Sequence, residues 1–384
     1  MRDKLIRELE KIKQAQAYRR IPEIEEGGGK YVQKKGKYLL NLASNNYLGL
    51  SCDCSLISAS RKALELLGCS SGASRVVTGN FSLYDELEKR TARFKSLEDC
   101  LVINSGYTAN LAVLTTLAGR RTVVFSDKLN HASIVDGIRL SGAEHVRYRH
   151  SDMAHLKELL DKYKDTEEKI IVTDTVFSMD GDRAELADIV NLAGKYKALT
   201  IVDEAHATGV LGQGRGLAHE LGLEHKIDVH MGTYSKAFGS FGAYLAGDSV
   251  IIDYIRNRGR QFIFTTSLPP SVIGADMAAL DYVCSRGECG CELLSKSEYL
   301  RNVLKKLGYD TGMSSTQIIP VILKDNGAVL KAAVFLEEEG IIAGAIRPPT
   351  VPENTARLRL SMRNDICVEE IEKVVSVFRR LKNV

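Results

Sequence analysis

The chain has 384 residues, long enough to bury a substantial core and to divide into two domains. Its 52 basic residues against 49 acidic ones leave a formal net charge of +3 with no long basic block, which argues against a nucleic-acid or anionic-membrane binder and for small-molecule partners. No apolar run approaches the ~20 residues of a membrane span and the N-terminus lacks a signal-peptide core, so a cytoplasmic location is expected.

Arg2 to Arg20 reads as an amphipathic helix with Leu5, Ile6, Leu9 and Ile12 on one stripe. Its acids Asp3, Glu8 and Glu10 argue against an organellar transit peptide. Strand and helix then alternate. Strands are expected at 100–104, 122–126, 145–149, 169–174, 198–203, 227–231 and 243–247, and helices at 107–117, 133–140, 153–163 and 186–196. Such alternation predicts βαβ units, hence an α/β fold with a mostly parallel central sheet covered by helices on both faces. After Phe262-Ile-Phe-Thr-Thr-Ser-Leu-Pro-Pro270 the character changes. A helical region from Ser271 to Leu307, interrupted at 286–291, leads to strands at 317–323, 341–345 and 357–361, a helix between the first two, and an amphipathic helix from Val368 to Leu381. The expected domains are residues 1–45 as an N-terminal helix and arm, 46–270 as a large α/β domain, and 271–384 as a small α+β domain.

Eight cysteines are scattered along the chain. The C-x-C pairs Cys52/Cys54 and Cys289/Cys291 are spaced too closely for structural zinc and lack a nearby histidine. They read as free thiols of a reducing compartment, and no metal is expected. Gly212-Gln-Gly-Arg-Gly216 is neither a Walker pattern nor a dinucleotide fingerprint and reads as a turn.

Lys236 and Asp203 carry the chemistry. Lys236 lies in Gly232-Thr-Tyr-Ser-Lys236 after one apolar run, and Asp203 opens Asp203-Glu-Ala-His206 after another. Open α/β sheets place ligands beyond the carboxyl ends of their strands. An amine able to form a Schiff base, a carboxylate to keep a pyridinium nitrogen protonated, and hydroxyls beside the lysine for a phosphate are what a pyridoxal 5′-phosphate (PLP) enzyme needs. Asn104-Ser-Gly-Tyr-Thr-Ala-Asn110 joins a strand to a helix, whose first N–H groups could face a phosphate. His131 follows another strand end, where its ring could stack on a planar cofactor. Ser178 and His206 could each donate to a ring hydroxyl.

Asn45-Asn-Tyr-Leu-Gly49, Asn104-Ser-Gly-Tyr107, His131-Ala-Ser133, Phe177-Ser-Met-Asp-Gly181, Asp203-Glu-Ala-His206-Ala-Thr-Gly209, Gly232-Thr-Tyr-Ser-Lys236 and Phe264-Thr-Thr-Ser-Leu-Pro-Pro270 together resemble the α-oxoamine synthases, PLP-dependent transferases of fold type I. The resemblance runs over essentially the whole chain. It implies that Lys236 holds the cofactor, that Asp203 pairs with its pyridine nitrogen, that His131 stacks on the ring and also faces substrate, and that His206 and Ser178 reach the phenolic oxygen. Gly106, Tyr107 and Thr233 would surround the phosphate, with Thr265 and Thr266 reaching the phosphate of the partner subunit in a homodimer. Arg359, helped by Asn45, would grip the amino-acid carboxylate. Arg19 and Thr350 would face the acyl substrate, with Arg20 as the alternative to Arg19.

The tract Ala345-Ile-Arg-Pro-Pro-Thr-Val-Pro352 with Thr355-Ala-Arg-Leu-Arg-Leu-Ser361 resembles the branch of that family whose members are acyltransferases joining L-alanine to a pimeloyl thioester. The thioester carrier, coenzyme A or an acyl carrier protein, stays open. Branches that use glycine carry different residues there. An aminotransferase or lyase on the same fold, and a catalytically silent relative, are the competing readings.

Overall fold

The computed structural model describes residues 1–382. It divides into two compact units, one made of residues 50–178 and 183–292, the other of residues 1–49, 179–182 and Leu293 onward. The chain starts with the helix Arg2–Gln14 and the hairpin β1 (Tyr31–Lys34) and β2 (Lys37–Leu42). Next come β3 (Asp99–Ile103), β4 (Thr122–Asp127), β5 (Glu144–Tyr148), β6 (Glu168–Asp174), β7 (Leu199–Asp203), β8 (Val229–Thr233) and β9 (Ala243–Gly247). It ends with β10 (Ile318–Lys324), β11 (Ile341–Ile346), β12 (Ala356–Ser361) and the helix Val368–Leu381.

In the larger unit the strand order is β3-β9-β8-β7-β6-β4-β5. β9 runs antiparallel to β3 and β8, and the remaining pairs are parallel. Successive strand residues point to opposite faces, and both faces are buried. Val123, Phe125 and Ile171 join one core with Leu156, Leu160 and Ile189. Their chain neighbours Val124, Ile170 and Val172 join another with Val113, Ile134 and Ile138. This two-sided burial is why the strands read as continuous apolar runs, and it gives the expected α/β architecture with helices on both faces of the sheet.

The smaller unit holds a five-stranded sheet, β1-β2-β11-β12-β10. Here the division departs from the sequence reading. The N-terminal arm is part of this sheet, because β2 pairs in parallel with β11, Leu40 opposite Ile341 and Leu42 opposite Ala343. The boundary expected after residue 270 falls after 292. The helix Pro270–Ser285 packs along the helix Cys54–Leu67, so closely that a Cβ on Gly274 would lie 2.9 Å from that of Ala63. The first helix stops at Gln14 rather than Arg20. Gln16 turns the chain with φ of 53°, while Asn326 Nδ2 donates to the Ala15 carbonyl at 3.0 Å and Arg347 to that of Gln16. Its apolar stripe is exposed.

Among the described residues, no helix is long and apolar enough to cross a membrane, and no cluster of His, Cys, Asp and Glu could hold a metal ion. All eight cysteines are free thiols. Residues 212–216 form turns with positive φ at four of five positions.

One buried ion pair fixes the strand ends of the larger unit. Lys95 and Glu204 are 1% and 0% exposed. Lys95 Nζ donates to Glu204 Oε2 at 2.5 Å and to the Arg215 carbonyl. The Ala218 N–H donates to Glu204 Oε1 at 3.0 Å, and His230 Nδ1 lies 3.3 Å from Oε2. Burial alone would raise the Glu204 pKa, but Lys95 and then His230 outweigh it and bring the carboxyl from 4.5 down to about 2. A depressed folded-state pKa contributes stability that is fully present above pH 4.5 and is lost as pH falls towards 2. Lys95→Met leaves a buried charge unpaired, and urea denaturation at pH 7 should show a loss of about 3–5 kcal/mol. The deficit should shrink near pH 3, where the unfolded parent already carries a protonated Glu204.

Candidate active site

Five strands deliver the site from their carboxyl-terminal ends, where an open α/β sheet leaves a crevice. Asp203 closes β7, Asp174 closes β6 and Thr233 closes β8. Lys236 follows Thr233, His131 follows β4, and Gly106 follows β3. Gly106, Tyr107, His131, Ser178, Asp203, His206, Thr233 and Lys236 line one cavity of about 250 Å³, a size at the small end for ligand pockets. The sequence reading therefore brought eight residues to one place. A larger groove of about 910 Å³ lies elsewhere in the same unit. Its Arg90 is paired with Glu86 and Asp281, and no lysine–aspartate constellation lines it.

Asp203 is 5% exposed. Its carboxylate accepts from Asn110 Nδ2 at 2.8 Å and from the Ala205 N–H at 2.9 Å. Asn110 gives its other amide hydrogen to Ser133 Oγ at 2.9 Å, and Ser133 Oγ lies 2.8 Å from His131 Nδ1. The Ser133 N–H also donates to Nδ1, at 3.3 Å. With Nδ1 accepting, the neutral ring carries its hydrogen on Nε2. Although His131 is exposed on one side, desolvation of the rest lowers its pKa, with Asp203 opposing and Lys236 reinforcing. A neutral imidazole results near pH 7, suited to lie against a cationic ring. The Tyr107 ring meets it edge-on at 6.2 Å, and its hydroxyl is tied to Asp136.

The residues fit PLP. Thr233 Oγ1 is buried and has no hydrogen-bond partner. Ser105 caps the helix Gly106–Leu117 by accepting from the Thr108 N–H, and the N-terminus of such a helix favours a phosphate. A Cβ on Gly106 would come within 2.8 Å of Thr233 Cγ2, so only glycine leaves this corner open. With the carboxylate of Asp203 and the half-buried amine of Lys236, the cavity holds a partner for each polar end of the cofactor.

The other expected residues stand outside this cavity. In the smaller unit Arg359 Nη1 donates to Asn45 Oδ1 at 3.0 Å and to Ser361 Oγ at 2.7 Å, and Nη2 to the Tyr47 hydroxyl at 3.3 Å. Arg359 and Asn45 are thus together, and Tyr47 is an addition. Arg19 Nη2 donates to Thr350 Oγ1 at 3.1 Å, which also joins two residues expected to act together. In the larger unit Asn104 Nδ2 holds Thr265 Oγ1 at 3.3 Å and the Thr266 carbonyl at 2.7 Å. Asn110, Ser133 and Asp174 line the cavity and were missed by the sequence reading. Asp174 alone left a signal, since it ends its strand with the same residue as Asp203.

Residues 37–378 match the model of the family described as aminotransferase class I and II. The chain belongs to that family and, within it, to the α-oxoamine synthases, and it is a PLP-dependent transferase. Two relatives from Bacillus cereus strains, provisionally named 8-amino-7-oxononanoate synthases, are 47% and 48% identical over 95% of this chain and 93% of their own. Among solved structures, serine palmitoyltransferase from S. paucimobilis with a bound PLP–myriocin aldimine superposes with a TM-score of 0.93 at 31% identity, covering 99% of this chain and 97% of that one. 8-Amino-7-oxononanoate synthase from Francisella tularensis gives 0.79 at 25% identity, covering 90% and 98%.

The protein loaded with PLP should be yellow, and borohydride should fix a pyridoxyl group to the tryptic peptide that contains Lys236. Lys236→Ala should lose this adduct. Mass spectrometry that places the label on another lysine would overturn the assignment.

Proposed function

We propose that the chain is an 8-amino-7-oxononanoate synthase, joining L-alanine to a pimeloyl thioester with release of carbon dioxide and the free thiol carrier, a step of biotin biosynthesis. The observation that carries this reading is that relatives bearing that name match 95% of the chain at 47% identity. The serine palmitoyltransferase structure exceeds the solved 8-amino-7-oxononanoate synthase in TM-score and identity, 0.93 and 31% against 0.79 and 25%, but its identity is below the 47% of the relatives named for that synthase. The 345–352 tract supports the alanine branch.

Bound PLP supplies the electron sink that makes bonds at the alanine Cα breakable. The chain's own residues do the rest. Asp203, which accepts from the Asn110 and Ala205 N–H donors, would keep the pyridine nitrogen protonated. Lys236 Nζ takes the Cα proton and later returns one. Between these transfers Cα bonds to the thioester carbonyl carbon, the C–S bond breaks and the thiol carrier leaves. The alanine carboxylate then departs as carbon dioxide. Arg359 is assigned that carboxylate, since its planar fork suits two charge-assisted hydrogen bonds. His131 would lie against the cofactor ring, and Arg19 with Thr350 is assigned the acyl chain.

The substrate assignment is tested by kcat/KM for L-alanine with pimeloyl-CoA, or pimeloyl acyl carrier protein, against glycine with acetyl-CoA and L-serine with palmitoyl-CoA. The alanine–pimeloyl pair should lead. A lead for glycine would establish a glycine C-acetyltransferase or a related branch. Arg359→Lys should cost at least about tenfold in kcat/KM, because lysine cannot reproduce a bidentate grip.

The working form is proposed to be a homodimer. Phe264 and Phe241 are 71% and 51% exposed, and Thr265 and Thr266 lie outside the cavity of their own chain. Mixing Lys236→Ala with a Thr265→Ala/Thr266→Ala double variant should restore activity through hybrid dimers, in which one site carries both native elements. No complementation together with a monomer in sedimentation would refute this.

A further inference from the structure

Asp174 lines the cavity without a role in the chemistry above. It closes β6 in register with Asp203 on β7, so the two carboxyl groups stand on adjacent strands whose backbones are ~4.8 Å apart. Both are buried, at 4% and 5% exposure. Their surroundings differ. Asp203 accepts two hydrogen bonds, from Asn110 and Ala205. Asp174 accepts one, from the His131 backbone N–H to Oδ2 at 2.7 Å. No hydrogen bond joins the two carboxyls, and no described residue accepts a proton from Asp174.

Two neighbouring buried acids do not both ionise at low cost. Asp203 has the larger set of hydrogen-bond donors. Burial first, and then the Asp203 charge, push the Asp174 carboxyl well above the usual range, with Asp127 adding to the shift and the His131 N–H and Lys236 opposing it. A protonated carboxyl is a donor as well as an acceptor.

We propose that Asp174 is a cofactor-binding residue that works as a hydrogen-bond donor, one oxygen accepting from the His131 N–H and the other presenting a proton to an oxygen atom of PLP in the cavity. The same side chain positions the stacking histidine. Asn130 completes the clamp, its Oδ1 accepting from the Asp174 N–H at 2.9 Å and its Nδ2 donating to the Val172 carbonyl at 2.8 Å. The proposal rests on PLP as the cavity's cofactor and is independent of the amino-acid and acyl substrates.

Asparagine reproduces both halves of this role, a carbonyl for His131 and amide hydrogens for the ligand, but carries no negative charge. Titrating the apoprotein with PLP by absorbance should therefore show Asp174→Asn within about threefold of the parent Kd and Asp174→Ala weaker by about tenfold or more, the usual cost of losing a buried hydrogen-bond partner. Infrared difference spectra of the holoenzyme, parent minus Asp174→Asn, should contain the C=O band of a protonated carboxyl. If Asn binds as weakly as Ala, or the missing band is that of a carboxylate, the site uses a charge and the proposal falls. It falls equally if Ala binds PLP like the parent. Should Asp174→Ala fail to fold, the Asn titration and the infrared band decide. Neither measurement involves alanine or a thioester, so failure here leaves the synthase reading intact, and a different substrate preference leaves Asp174 intact.

Discussion

A single amide side chain organises the site. Asn110 gives one hydrogen to Asp203 and the other to Ser133, whose hydroxyl meets His131. Asp203 and His131 are thereby held by one rigid group on the second turn of a helix. The amide carries no net charge, so it orients both partners without adding a charge of its own. That helix also brings Gly106 and its N-terminus to the Thr233 corner, so two ends of the cavity are built on one element. Any shift of this helix along its axis would disturb both ends at once.

The sheet makes this possible. Parallel strands that end in register place Asp174 beside Asp203, and Asp203 beside Met231, two residues ahead of Thr233. Behind them the Lys95–Glu204 pair joins a helix before the sheet to the loop that follows β7. The strand end that carries Asp203 is thus anchored at its next residue by a buried charge pair, where water cannot loosen the geometry.

Much of this was legible in the sequence. Helix Leu186–Tyr196, strand β9 and helix Val368–Leu381 fall on the expected residues, because buried strands and amphipathic helices write their period into local sequence. Eight of the residues expected from strand-end position and motif line one cavity. What stayed hidden depends on long-range pairing. Nothing near residues 37–42 announces a partner 300 residues downstream, so the arm was taken for a separate piece. Nothing in Pro270–Ser285 shows that its Gly274 face fits Cys54–Leu67. The helices Cys54–Leu67 and Ser82–Lys95 were not anticipated at all. Asn110 and Ser133 escaped because their roles exist only through each other and through Asp203, and neither type is unusual at the start of a helix.

The loop after β7 has a further implication. A Cβ on Gly216 would fall 2.4 Å from Glu204 Oε1, and Lys95 already bonds the carbonyl of Arg215 next door. Positions 95, 204 and 216, remote in sequence, therefore share one small volume and one charge balance. Substitutions among them should not add as independent effects, since residues in one hydrogen-bonded network couple. Over evolutionary time the three should change together or stay fixed together. A library that varies them one at a time would find only losses, while a combined apolar replacement of positions 95 and 204, with Gly216 kept for its φ of 111°, has a route to a stable fold.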